Sequence, residues 1–414
     1  MAQNTGWSVA LLGARMYYAV PRILERSGLL NHFYTDLNAN QGWIQLLQKV
    51  PPSFRPSAVK RLLGRVSPDI SQSKITAFNH FGLEYTQRLR QAKSSSDTTQ
   101  TFLWAGKKFC QLVLDHGLNS CGGIYTFNTA GLEILQYANS QNIITVTEQT
   151  IAPKSIEYKL LREEQEIFTD WELPASFDPI LAEFSQREQE EWKYATLILC
   201  GSSFVKESII QAGGDGDRCR ILPYGIDFHH LGNKVEFTFS QPHQRLRVLT
   251  VGAIGLRKGS PYVLHVARRL QHIAEFRMVG STNLSQNILD QISEFINLVG
   301  IVPRSEIQNH YQWADVFLLP SICEGSATVT YEALAAGVPV ICTPNTGSMI
   351  RDGIDGFIIP IRNTEAIIEK LELLANSLEL RQNLSRNASD RAKDFTFENY
   401  SKNLLQILSV LNND

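Results

Sequence analysis

The chain has little that would tie it to a membrane, a metal or a nucleic acid. No run reaches the roughly 18 uninterrupted apolar residues that a membrane span requires, and the first apolar stretch, Val9–Leu12, is too short for the core of a secretory leader. A cytoplasmic protein is expected. The six cysteines (Cys110, Cys121, Cys200, Cys219, Cys323 and Cys342) lie far apart, with no C-x-x-C and no Cys/His group at zinc-like spacing, so they read as buried thiols of a reducing compartment. Net charge is also lacking: 39 Lys and Arg face 41 Asp and Glu, which leaves no global field to hold a polyanion such as nucleic acid. Neither G-x-G-x-x-G nor G-x-x-x-x-G-K-[ST] occurs, and with them go the nicotinamide-dinucleotide fingerprint and the P-loop. Asp215-Gly216-Asp217 has a D-x-D form but sits in a glycine-rich polar turn, and His229-His230 has no third partner, so no metal site is assigned.

What is present is the composition of an ordinary α/β protein, 414 residues with 43% apolar and 19% charged side chains, long enough for two or three packed domains. Short apolar runs recur with helical stretches between them: Val9–Leu12, Gly123–Phe127, Ile143–Val146, Thr196–Cys200 and Cys219–Pro223, then Leu246–Val251, Phe276–Val279, Val316–Leu319, Val338–Thr343 and Gly356–Ile359. Continuous apolar strands joined through helices signal parallel sheets covered on both faces. Two such series predict two doubly wound, Rossmann-like domains, 1–201 and 202–394, with the linking segment inside 202–244. Phe397, Tyr400, Leu404, Leu408 and Leu411 repeat at helical spacing, so a terminal helix within 395–414 is expected to pack back on the first domain.

Charge is uneven within the first half. Between Lys49 and Lys93 nine basic residues face two acidic ones, and between Ile151 and Glu191 eleven acids face four bases. One reading is a set of solvated helix faces. The other is that Trp43, Leu46, Leu47, Leu62 and Leu63, set among cations over 43–66, form an amphipathic patch that rests on anionic lipid.

The most informative stretch is Pro320 to Gly347. A strand feeds a glycine-containing turn, and a helix then starts near Ser326 or Ala327 and stops at Gly337, with Pro339 beyond it. Its N-terminus faces the carboxyl end of a parallel sheet, where amides and the helix dipole favour a phosphate. Glu324 precedes the helix and Glu332 lies eight positions later, so one carboxylate can meet a ligand near its phosphates and the other a more distant hydroxyl group. Taken alone, the pair also fits a helix-surface residue and a cap.

The stretch resembles glycosyltransferase family 4, the retaining glycosyltransferases of GT-B architecture with an E-x7-E motif. The matching pattern is P-S-x-x-E-G at Pro320 to Gly325, then E-A-L-A-x-G-x-P-V-I at Glu332 to Ile341, then Gly347, and G-x-x-G-F at Gly353 to Phe357. Val251-Gly252-Ala253-Ile254-Gly255-Leu256-Arg257-Lys258-Gly259 resembles the family's V-G-x-x-x-x-x-K-G turn, Pro223 to Asp227 its P-N-G-V-D, and Gly280 the turn after the next strand. The likeness is good over roughly 188–397 and only one of layout before that.

The resemblance implies two domains facing across a cleft. The second would bind a nucleotide-diphosphate sugar, and a hexosyl group would pass with retention to a glycan, a lipid-linked or a small-molecule acceptor, as in polysaccharide biosynthesis, with neither metal nor cofactor. Within it, Lys258, Arg257 and the amides of Gly325, Ser326 and Ala327 would stabilise the leaving diphosphate, Glu324 would hold the sugar and Glu332 the ribose, with Gly252 and Gly280 lining the donor. Departures fall in the first half. One glycine, Gly13, stands where the family often has two, with Arg15 beside it, and Val146-Thr147-Glu148-Gln149 replaces V-x-H-G. Glu148, Gln149, Asn128 and Arg15 are therefore the acceptor or cleft candidates. A catalytically silent sugar-nucleotide-binding protein and a sugar-nucleotide epimerase are the alternatives.

Overall fold

Where apolar residues follow one another unbroken, as in Val316–Leu319, both faces of a strand must be covered, and the chain does this with parallel strands between layers of helix. The computed structural model describes residues 6–42, 44–51, 54–67, 69–118, 121–172, 179–227 and 244–411. The first sheet holds β1 (Trp7–Leu11), β2 (Leu30–Thr35), β3 (Ile75–Ala77), β4 (Gly123–Phe127), β5 (Ile144–Gln149), β6 (Leu197–Cys200) and β7 (Cys219–Ile221). They lie in the order β3-β2-β1-β4-β5-β6-β7, every pair parallel. The second sheet, with β8 (Leu246–Val251), β9 (Ala274–Val279), β10 (Ile296–Gly300), β11 (Val316–Leu319), β12 (Val340–Cys342) and β13 (Gly356–Ile358), runs β10-β9-β8-β11-β12-β13, again all parallel. This is the expected pair of doubly wound domains. In each sheet the strand order reverses at one place, between β1 and β4 and between β8 and β11, and the loops that leave those strands open the crevice where such sheets take ligands.

The division expected between residues 201 and 202 falls inside the first sheet, because β7 at 219–221 pairs with β6. The chain crosses to the second sheet after β7 and returns near residue 395. The two crossings touch: Ile226 N donates to Phe395 O at 2.8 Å and Phe397 N to Ile226 O at 3.1 Å. The Phe397–Leu411 helix then buries Tyr400, Leu404 and Leu408 in a core shared with Trp7, Val9 and Tyr125 of the first sheet. The Arg22 and Arg26 guanidinium groups lie 5.6 and 5.7 Å from the Phe397 ring.

Neither charged stretch is simply a solvated face. Within the acidic one, Glu164, Glu188 and Glu191 are buried, each with its own donors. Within the basic one, Leu47, Leu62 and Leu63 pack on Leu37, Ala39 and Ile44, so they are turned inward and are not free for lipid. Leu46 and Phe54 remain exposed, and Trp43 lies outside the described residues. Among the described residues, no helix is long and apolar enough to cross a membrane.

Candidate functional site

The loops that leave β8 and β9 are assembled from close backbone approaches that only glycine permits. Gly252, at the end of β8 with φ 138°, lets the Lys258 side chain lie across it, where an added methyl would meet Lys258 Cε at 3.0 Å. Gly280, at the end of β9, packs so tightly that a methyl there would run into Gly252 O. Between them the Leu256–Lys258 turn is tied to the loop after β11, because Ile322 N and Cys323 N donate to Arg257 O at 2.9 and 3.3 Å. Arg257 Nη1 and Lys258 Nζ each come to 2.8 Å from Glu324 Oε1. Lys258 is buried, which pulls its ammonium pKa below the ordinary lysine value while Glu324 works against the shift. Two cations on one carboxylate oxygen leave positive charge over, and a bound diphosphate would satisfy it.

The Thr328–Ala335 helix begins just beyond this loop. Its entry is held by internal bonds, with Ser326 Oγ 2.7 Å from the Tyr331 hydroxyl and Ser202 Oγ donating to Gly325 O at 2.5 Å. The Ala327 amide, expected to face the diphosphate, donates to Thr346 O at 3.2 Å and is taken; among the described residues the Gly325 and Ser326 amides meet no acceptor. Further along the helix Glu332 Oε2 accepts from the Tyr311 hydroxyl at 2.8 Å, and burial raises its carboxyl pKa. Tyr311, from the Arg304–Trp313 helix, was not singled out by sequence reasoning. Its place three residues before Ala314-Asp315 was the only available signal.

The first-domain candidates divide. Glu148 is buried at the end of β5 and accepts from the Tyr125 hydroxyl at 2.5 Å and the Tyr224 hydroxyl at 2.8 Å. Burial raises its pKa against the pull of both tyrosines and of Arg15. Gln149, offered as a cleft candidate, is fully buried with its amide engaged inside the fold: its Nε2 donates to Glu188 Oε1 at 2.9 Å and Ile151 O at 3.0 Å, and its Oε1 accepts from Trp192 Nε1 at 3.1 Å. Asn128 spends its Oδ1 on the Thr150 amide and hydroxyl, at 3.3 and 2.8 Å, and so closes a turn. Arg15 is exposed at the start of a turn in which Met16, Tyr17 and Tyr18 all take left-handed φ values of 44°, 53° and 62°. Each such residue costs roughly 1–2 kcal/mol, and strain of this kind collects at functional sites. The turn sets Tyr17 against the second domain, its ring centroid 4.9 Å from the Arg304 guanidinium; no motif marks that pair. Asp215 accepts from Asp217 N at 2.9 Å and pairs with Arg218, closing a surface turn, and His229-His230 lies outside the described residues.

Residues 233–391 match the model of the family described as glycosyl transferases group 1. An uncharacterized glycosyltransferase of Methanocaldococcus jannaschii is 25% identical over 53% of this chain and 62% of its own length. An alpha-1,4-N-acetyl-D-galactosaminyltransferase of Campylobacter jejuni, named for a glycan on PP-undecaprenol, is 27% identical over 44% of this chain and 53% of its own. The matched stretch thus spans between about half and two thirds of these curated relatives. Sucrose-phosphate synthase from Thermosynechococcus elongatus superposes with a TM-score of 0.66 at 15% identity, over 98% of this chain and 99% of its own. The whole chain therefore has the GT-B architecture of two Rossmann-like domains, and its rear half is similar in sequence to the group 1 glycosyl transferases.

Proposed function

We propose that the protein is a retaining glycosyltransferase of family 4 type, moving a hexosyl group from a nucleotide-diphosphate sugar to a glycan, lipid-linked or small-molecule acceptor. The observation that carries this reading is the meeting of Arg257, Lys258 and Glu324 at the β8/β11 switch point. In this reading the anomeric bond breaks ahead of attack, Lys258 and Arg257 take up the charge that grows on the leaving diphosphate, and Glu324 holds sugar hydroxyls. An oriented donor of this kind contributes roughly 3–4 kcal/mol. The acceptor proton passes to the leaving phosphate oxygen, so the reaction needs no separate base, cofactor or metal. Glu332 binds the ribose with Tyr311 setting its orientation. The relatives' names support glycosyl transfer, and the lipid-linked substrate of the Campylobacter relative makes a lipid-linked acceptor the first to try. Exposed Leu46 and Phe54, within the stretch that also carries Lys49 and Lys60, would then rest the first domain on an anionic membrane surface.

A thermal-shift panel of uridine, guanosine and adenosine diphosphates and their sugars, followed by nucleotide release with and without acceptors, tests the reading. Lys258→Ala should mainly lower turnover and Glu332→Ala mainly weaken nucleotide binding. Small, equal effects of the two would defeat the assigned roles. Binding without release would favour the silent sugar-nucleotide protein, and product without acceptor the epimerase.

A further inference from the structure

We propose that residues 150–172 form a strap by which the first half of the chain holds the donor turn, with Glu172 as the positioning residue for Arg257 and Lys258. The inference rests on the glycosyltransferase reading for the role of that turn, and on geometry for the rest. After β5 the chain leaves the first sheet and runs onto the second domain. Ala152 and Ile156 pack with Cys323, one residue from Glu324. From the Lys154–Ile167 helix and the residues after it, Leu160, Leu161, Phe168 and Trp171 join the core under β8 and β9, and the Phe168 and Tyr262 rings meet edge to face at 5.3 Å. Glu164, fully buried, accepts from the Tyr262 hydroxyl at 2.8 Å and from Arg362 Nε at 2.5 Å.

The strap is fastened at both ends by carboxylates. At its start Glu188 Oε2 accepts from Lys154 N at 2.7 Å while Oε1 accepts from Gln149 at the end of β5. At its finish Glu172 Oε1 accepts from Leu256 N at 2.7 Å, the first amide of the turn that bears Arg257 and Lys258. Gly255 leaves room for this contact: a methyl there would run into that same carboxylate oxygen and would push the Glu172 side chain off the Leu256 amide. A carboxylate on the opening amide fixes where both cations point, and catalysis by fixed charge falls steeply when the charge is misplaced.

The test uses the full chain and the variants Glu172→Ala and Glu172→Gln, the second of which keeps an oxygen for Leu256 N. Titration with inorganic pyrophosphate reads the turn without needing activity. Glu172→Ala should bind it roughly tenfold more weakly with the melting temperature near wild type, and Glu172→Gln should return to within about threefold. In transfer assays kcat should fall more than donor KM rises. Unchanged pyrophosphate affinity in Glu172→Ala, no rescue by Gln, or no pyrophosphate binding by the wild type each overturns the strap. A wild type that binds pyrophosphate but neither binds nucleotide sugars nor transfers sugar removes the glycosyltransferase reading and leaves the strap to the titration.

Discussion

At the residue scale the site is decided by what each charged group already touches. Glu324 neutralises part of two cations when no donor is bound, since Arg257 and Lys258 both lie 2.8 Å from one of its oxygens. A donor diphosphate must share or displace that carboxylate. Glu324→Gln should therefore bind nucleoside diphosphates as tightly as wild type or a few-fold tighter, while turnover falls roughly a hundredfold because the sugar loses its anionic acceptor. Calorimetric titration beside a transfer assay checks both halves, and weaker binding in the variant would contradict the competition. Internal partners already engage two of the first-domain candidates: both ends of the Gln149 amide are bonded inside the fold, and the Asn128 carbonyl oxygen is held by Thr150.

At the element scale the Pro179–Tyr194 helix organises the loop between β4 and the Leu132–Ser140 helix. Glu191 caps the Leu132–Ser140 helix, accepting from Gly131 N at 3.0 Å and Leu132 N at 3.1 Å, and takes Thr129 N at 2.7 Å. One helical turn earlier Arg187 pairs with Glu133 and donates to Thr129 O at 2.9 Å. Burial pushes the Glu188 and Glu191 carboxyls up to about 7 from 4.5. A carboxyl raised on folding holds its proton longer in the native state, so its contribution to stability is present at low pH and is lost as pH climbs from about 4.5 to about 7. Glu188→Gln removes one such group. Its melting temperature should accordingly fall less than that of wild type between about pH 5 and pH 7.5, read by calorimetry at matched ionic strength. An equal fall in both would show that Glu188 is not the titrating group.

At the scale of the whole molecule, the two sheets are joined by more than the covalent crossings. Trp7 in the first strand and Leu408 near the chain's end share one core. Leu404 is fully buried in it, so Leu404→Ala should destabilise the protein by roughly 2–5 kcal/mol through lost burial and the cavity left behind. Denaturant unfolding followed by fluorescence would measure this. A change under about 1 kcal/mol would mean that the terminal helix is not part of the cooperative core. The strap makes a second bond between the halves, so an acidic segment that looks solvated in sequence is structural in the fold.

The two parallel sheets were legible in the chain's local pattern, since ten short apolar-rich runs appear as ten strands, and so was the glycine at the ends of β8 and β9, where close backbone approach excludes a side chain. That pattern missed β2, β3 and β10, whose strands carry Asn31, His32, Thr76 and Asn297 and lack a continuous apolar signature. That Tyr311 meets Glu332, that Gln149 turns inward and that Glu172 reaches the Leu256–Lys258 turn came from the folded chain alone, because hydrogen-bond partners separated by 21, 43 and 84 residues leave no trace in local periodicity.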